Sequence, residues 1–146
     1  MINFKLRKQI LEEIPEIKKC FQCGSCTSGC LAAKYLGAFS PREKIIRAAT
    51  GDKQVLSSEL WKCASCNNCN ERCPQGVNPF EVLLKLKNIA IRMGLAPEEL
   101  VSKAREVIEQ GYIVELNKMV QENRTELGLP ELEPVEENKK LCEDRL

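Results

Sequence analysis

Apolar positions recur at helical spacing along most of the chain. Leu6, Ile10, Leu11, Ile14 and Ile17 fall on or near one face of a helix predicted over residues 5–19, with Pro15 breaking or kinking the run. A second helix opens at Ser40-Pro41-Arg42-Glu43. There Ser40 suits the N-cap, Pro41 the first helical position, and Glu43 completes a capping box; Gly51 is placed to end the helix. A short helical stretch spans Ser57 to Trp61. Asn78-Pro79-Phe80-Glu81 then repeats the cap, proline and glutamate. It starts a longer helix through Leu83, Leu86, Ile89, Ala90 and Met93 that ends at Gly94. Ala96-Pro97-Glu98-Glu99 begins another, with Leu100, Val101, Ala104, Val107 and Ile108 predicted to face inward and Gly111 at its end. A further short helix is predicted over 112–122. Strand-like alternation is missing, so the predicted fold is mainly α.

The pattern is internally repeated. Lys19-Cys20 and Lys62-Cys63 stand 43 residues apart, and so do Gly51 and Gly94. Two copies of one unit, a Cys loop followed by a capped helix, imply an approximate two-fold arrangement. The chain accordingly divides into an N-terminal helical segment (1–19), a domain holding both Cys loops (20–94), C-terminal helices (95–123) and an acidic, Pro-containing tail (124–146). Pro130, Pro134 and seven acids against four basic residues predict that the tail is extended or disordered.

Composition narrows the chemistry. A chain of 146 residues suits one domain. Its 22 Lys plus Arg nearly cancel 21 Asp plus Glu, which gives no general attraction to nucleic acid. No apolar run approaches the roughly 18–20 residues that span a bilayer, and the first residues hold no apolar stretch of signal-peptide length. The expected location is the cytoplasm. Nine Cys accompany no His. In a reducing compartment clustered Cys more often bind metal than form disulfides. The lack of His excludes a Cys₂His₂ zinc finger, a Rieske cluster, His-ligated haem, and Ser-His-Asp or Cys-His catalysis within this chain.

Eight of the Cys form two motifs, Cys20-x₂-Cys23-x₂-Cys26-x₃-Cys30 and Cys63-x₂-Cys66-x₂-Cys69-x₃-Cys73-Pro74. Both have the spacing of the bacterial two-cluster ferredoxin run, in which the fourth Cys serves the other cluster. Three thiolates two residues apart can wrap a cubane, and the fourth sits on the exit from the loop. The expected cofactors are two 4Fe-4S clusters with crossed ligation. Cluster one takes Cys20, Cys23, Cys26 and Cys73; cluster two takes Cys63, Cys66, Cys69 and Cys30. Leu31 stands where a Cys-Pro ending would have proline. The competing reading is a structural zinc module, although zinc sites usually use two separated CxxC pairs. Redox-active CxxC disulfides lack their βαβ context. Gly24, Ser25, Asn67 and Asn68 are expected to allow tight turns around the clusters. Lys19, Lys62 and Arg72 offer positive charge or merely solvated surface. Trp61 reads as core, and Cys142 as a plain thiol in the tail. No GxGxxG, P-loop or Cys-Cys-Gly sequence is present, so no catalytic residue is expected.

The run from Lys19 to Cys30 and the run from Trp61 to Pro74, with helices between them, resemble the iron–sulfur C-subunit of heterodisulfide reductase over roughly residues 15–110. The double motif is shared with the iron–sulfur subunits of succinate dehydrogenase, glycolate oxidase and anaerobic glycerol-3-phosphate dehydrogenase. The resemblance implies an α-helical ferredoxin-like domain. It also implies a relay of single electrons between two partners: the flavin- and iron–sulfur-containing A-subunit as donor and the Cys-Cys-Gly-containing B-subunit as acceptor. In methanogens the acceptor reduces the mixed disulfide of coenzyme M and coenzyme B. A relay subunit of another dehydrogenase, or of a sulfur-oxidising heterodisulfide reductase-like complex, is the neighbouring alternative.

Overall fold

A computed structural model describes residues 2–37 and 39–135. Helix α1 is Phe4–Glu13, capped by Asn3, whose Oδ1 accepts from the Leu6 N–H at 2.9 Å. The predicted run to residue 19 is two pieces. Pro15 lacks an N–H and cannot continue the helical ladder, so Pro15–Lys19 forms a separate 3₁₀ turn. The first Cys loop follows, holding a single helical turn, α2 (Ser25–Ser28), and leads into α3 (Leu31–Leu36). Helix α4 is Pro41–Thr50, and two 3₁₀ turns, Lys53–Leu56 and Ser58–Lys62, carry the chain to the second loop. That loop holds α5 (Asn68–Glu71) and is followed by α6 (Pro79–Arg92).

These elements belong to a compact unit, Met1–Ala96. Its core is built where the helical period places apolar side chains. In α6 Val82, Leu83, Leu86, Ile89 and Ala90 are buried, a stripe at i, i+1, i+4, i+7 and i+8. It meets Ile45 and Ala48 of α4, Leu6 and Ile10 of α1, and Val55, Leu56 and Leu60 of the 3₁₀ turns. Burial of each large side chain contributes roughly 1.5–3 kcal/mol. One charge lies inside: Lys44 is 1% exposed and its ammonium pairs with Glu59. The first turn of α1 is pinned to the end of α4. The Asn3 N–H donates to the Gly51 carbonyl at 2.9 Å, and Gly51 has φ 75°. A Cβ there would stand 2.6 Å from both the Asn3 carbonyl oxygen and the Arg7 Cβ, so the position needs glycine.

The two predicted caps form differently from expectation. Ser40 Oγ accepts from the Glu43 N–H at 3.3 Å, but the Glu43 carboxylate pairs with Arg47 at 2.8 Å and does not close the box. Arg47 lies one turn on along the same face, where an opposite charge is favoured. Asn78 adopts a left-handed backbone (φ 53°) and makes no side-chain cap. The α6 terminus is served by Asn70 in the second loop, whose Oδ1 accepts from the Phe80 N–H at 2.7 Å.

The second unit is Pro97–Leu146. It contains α7 (Glu98–Gln110) and α8 (Lys118–Glu126). The predicted inward face of α7 is not buried: Leu100 and Ala104 are exposed, and Val101, Val107 and Ile108 are half-buried. The other helix of this unit, α8, is largely polar, and its Met119 is itself 64% exposed. The helix expected over 112–122 starts later. Asn117 caps it through a 3.0 Å bond from the Val120 N–H, and it runs to Glu126, past the expected start of the tail. Residues 129–135 have no regular structure. Gln121 holds them by bonding both the carbonyl (2.7 Å) and the N–H (3.1 Å) of Leu132. Cys142 lies outside the described residues. Among those residues an isolated bridge between Ile2 and Asp52 is the sole β feature, and no helix is long and apolar enough to cross a membrane.

Candidate metal centres

Each Cys loop is entered the same way. Ile17 and Leu60, 43 residues apart, are buried at 1% and 0% exposure, and each anchors a 3₁₀ turn. The turn ends at the first Cys of its motif: the Cys20 N–H donates to the Ile17 carbonyl at 3.2 Å, and the Cys63 N–H to the Leu60 carbonyl at 3.3 Å. The backbone then turns left-handed twice within each loop. Gln22 and Gly24 have φ 62° and 87°; Ser65 and Asn67 have φ 54° and 61°. These four positions are again pairs 43 residues apart. Three of them carry side chains that make this conformation cost about 1–2 kcal/mol each. Strain that recurs at equivalent positions marks a shape held for a purpose: it curls the chain so that three thiols face one side. Gly24 and Asn67 meet the expected turn role, whereas Ser25 and Asn68 are ordinary helical residues of α2 and α5.

The eight motif thiols surround two cavities. One is lined by Cys20, Cys23, Cys26 and Cys73, the other by Cys30, Cys63, Cys66 and Cys69. Each cavity thus takes three Cys from one motif and the fourth from the other. The free space is about 280 Å³ in the first and 330 Å³ in the second, similar sizes for a repeated unit. The burial of the thiols repeats as well. Cys26 and Cys69 are buried, Cys23 and Cys66 exposed, and the remaining four intermediate. All eight are free thiols. Among the described residues no three Cys, Asp or Glu side chains converge as they would around a single metal ion. The sulfurs ring a space and do not meet at a point.

The loops touch each other through α2 and α5. Burial pushes the Cys26 thiol up, and pushes Cys69 up to about 11. Such a thiol is a poor free anion, but a metal can supply the positive charge that water does not. Cys23, at the exposed edge, has its thiol held below the ordinary value by Ser25. Backbone donors aim at the fourth sulfurs: the Ala33 N–H lies 3.5 Å from Cys30 Sγ, and the Val77 N–H 3.4 Å from Cys73 Sγ. Four soft sulfur donors per cavity, one of them accepting from a backbone N–H, fit a 4Fe-4S cluster.

Several neighbours were not apparent from the motifs. The residue after the third Cys braces the Pro-started helix of its half: Thr27 Oγ1 accepts from the Arg42 N–H of α4 at 3.1 Å, as Asn70 Oδ1 does from the Phe80 N–H of α6. Arg42 lines the first cavity and Phe80 the second. They are the second helical residues of the two Pro-started helices, and the repeat itself was the signal for both. Lys19 and Lys62 are exposed. The Arg72 side chain lies over Gly29, where a Cβ would stand 2.5 Å from its Cδ. Trp61 is half-buried against the core.

Comparison with known proteins bears on this arrangement. A family model described as a 4Fe-4S dicluster domain matches residues 16–77. The chain is 33% identical over 125 residues to the C2-subunit of the H(2)/formate:CoB-CoM heterodisulfide,ferredoxin reductase of Methanococcus maripaludis, covering 85% of this chain and 67% of that one. It is 34% identical over 127 residues to the C-subunit of the ferredoxin/F(420)H(2)-dependent CoB-CoM heterodisulfide reductase of Methanosarcina acetivorans, covering 86% and 78%. The chain belongs to the heterodisulfide reductase C-subunit family. Another member, from the ferredoxin:CoB-CoM heterodisulfide reductase of Methanosarcina mazei, is 34% identical over 116 residues, covering 78% and 71%. The iron–sulfur C-subunit of the Methanopyrus kandleri enzyme is covered to 65% of its length. The chain therefore spans between about two thirds and four fifths of the length of these four relatives. Membership makes this an iron–sulfur subunit of the oxidoreductase type. Its mainly helical architecture accords with the expected fold class.

Proposed function

We propose that the chain is the electron-transfer subunit of a heterodisulfide reductase complex in the cytoplasm. In this reading it relays single electrons through two 4Fe-4S clusters, from a flavin- and iron–sulfur-containing donor subunit to a Cys-Cys-Gly-containing acceptor subunit. The terminal acceptor is the disulfide of coenzyme M and coenzyme B. Cys20, Cys23, Cys26 and Cys73 hold one cluster; Cys63, Cys66, Cys69 and Cys30 hold the other. Once bound, such clusters supply reversible one-electron chemistry.

The observation that carries the reading is the lining of the cavities, three thiols from one motif with one from the other. The crossing staples the loops together, so the distance between the sites is set by the fold and not by partner docking. The positions of the exposed thiols support two-sided exchange. Cys23 and Cys66 each place one edge of a cavity at solvent, which gives one approach per site. The buried Cys26 and Cys69, on the touching turns α2 and α5, lie on the side between them.

Anaerobic purification of the tagged chain from its native host tests this. Iron and acid-labile sulfide for two clusters are expected, together with a flavoprotein and a Cys-Cys-Gly protein. Zinc without iron overturns the cluster reading. Iron-loaded chain with neither partner overturns the assignment to the complex.

A further inference from the structure

The two cavities are equivalent by backbone and unequal by side chain. In the first, Gln22 Nε2 donates to Cys20 Sγ at 3.3 Å. Ser25 Oγ lies 3.4 Å from Cys23 Sγ. A free thiol donates across that gap. A metal-bound thiolate has no proton to give, so the hydroxyl becomes the donor over the same distance. Arg42 lines the same cavity, its Cδ 4.0 Å from where a Cβ on Gly24 would sit. At the equivalent positions the second half has Ser65, Asn68 and Phe80, of which Asn68 and Phe80 line its cavity. The apolar walls match: Ala32, Phe39 and Leu83 in the second cavity, Ile45, Val77 and Pro79 in the first. Asn67, also on that lining, directs its amide to Glu71 at 3.5 Å. Among the described residues no side-chain donor reaches a sulfur of the second set. The backbone donors cancel, because Val77 serves Cys73 and Ala33 serves Cys30 at nearly equal distance. Arg72 does not discriminate either: it is next to Cys73 in the chain and lies over Gly29, next to Cys30.

Reduction adds one negative charge to a cluster. Donors to its sulfurs and a nearby cation stabilise that charge, whereas a phenyl ring in the cation's place does not. We infer that Gln22, Ser25 and Arg42 set the reduction potential of the Cys20, Cys23, Cys26 and Cys73 site above that of the other site. A single electron held by the chain therefore rests in the first site, and the second site is the stronger reductant. The inference rests on the two-cluster reading and adds an order to it. No proton or further reactant is needed: one site loses the electron that the other gains.

Potentiometric EPR of the anaerobically purified, cluster-loaded chain tests the order. Two separate potentials are expected. Arg42→Phe, which copies the residue of the other half, lowers only the higher one. The expected shift is about tenfold in the one-electron equilibrium, or about 59 mV. Arg42→Lys keeps the charge and most of the potential. Phe80→Arg raises only the lower potential and narrows the gap. Gln22→Ala and Ser25→Ala, close to the surface, lower the higher potential by smaller steps and serve if Arg42→Phe fails to load. A single shared potential overturns the inference while leaving the two-cluster reading intact. So does an Arg42→Phe protein whose potentials are unmoved or whose lower potential shifts. A chain that loads no iron and sulfide overturns both.

Discussion

The Lys44–Glu59 pair joins α4 to the 3₁₀ turn that delivers the second Cys loop. Its partners are unequally placed: the Lys44 side chain is 1% exposed and the Glu59 side chain 41%. Removing the carboxylate by Glu59→Ala strands a buried ammonium. Breaking a fully buried pair costs about 3–5 kcal/mol. Here solvent reaches the carboxylate side and screens the interaction, so the expected loss is about 1–2 kcal/mol. Lys44→Met removes the buried charge, keeps the stem packed, and leaves Glu59 free to turn into water. It is expected to cost less than about 1 kcal/mol or to stabilise. Far-UV CD melts of the anaerobic, loaded protein should show the difference. For a unit of this size each kcal/mol moves Tm by about 4–8 °C, so Glu59→Ala should melt well below Lys44→Met. The pH dependence has a fixed sign. The hydrogen bond from Lys44, then its charge, hold the Glu59 carboxyl below the ordinary 4.5. The unfolded chain thus takes up this proton first. The contribution of the pair is full above pH 4.5 and is lost as pH falls through the lowered folded value. The gap between wild type and Glu59→Gln should close there. Equal melting of Glu59→Ala and Lys44→Met, or a gap that widens in acid, would refute this reasoning.

Other substitutions probe the frame around the sites. Gly51→Ala places a Cβ against the Asn3 carbonyl in a left-handed backbone. It should cost about 1–3 kcal/mol, read as a lower Tm. Leu86→Ala, at 0% exposure in the α6 stripe, should cost about 2–5 kcal/mol by denaturant unfolding. Asn70→Leu removes the acceptor for the Phe80 N–H. A loss of about 1 kcal/mol and faster bleaching of the second-site absorbance in air are expected, with the first site unaffected.

The 43-residue repeat was legible because it is written in residues that define shape: the Cys sets and the glycines that end helices. The same offset relates Ile17 to Leu60 and Gln22 to Ser65, but those pairs differ in type or lack a motif, and only the fold shows their equivalence. Arg42 and Phe80 hold the same helical position but stand 38 residues apart, so the 43-residue offset does not pair them. Lys44 was hidden by its charge. The spacing of Pro41, Lys44, Ile45 and Ala48 nonetheless marks the buried face of α4. Caps depart from expectation where a side chain has two partners to choose from. Glu43 took Arg47 over its own helix start, and α6 took its acceptor from Asn70 in the loop. Periodicity located the apolar face of α7 but carried no information on what covers it.

The crossed pair of clusters is the centre of the account, and EPR spectra of four single variants test it directly. If each cluster takes its fourth thiolate from the opposite motif, Cys30→Ala and Cys66→Ala lose the same cluster and leave the same residual spectrum. Cys73→Ala and Cys23→Ala then share the other residual spectrum. The opposite grouping, in which Cys30→Ala matches Cys23→Ala and Cys73→Ala matches Cys66→Ala, would contradict it.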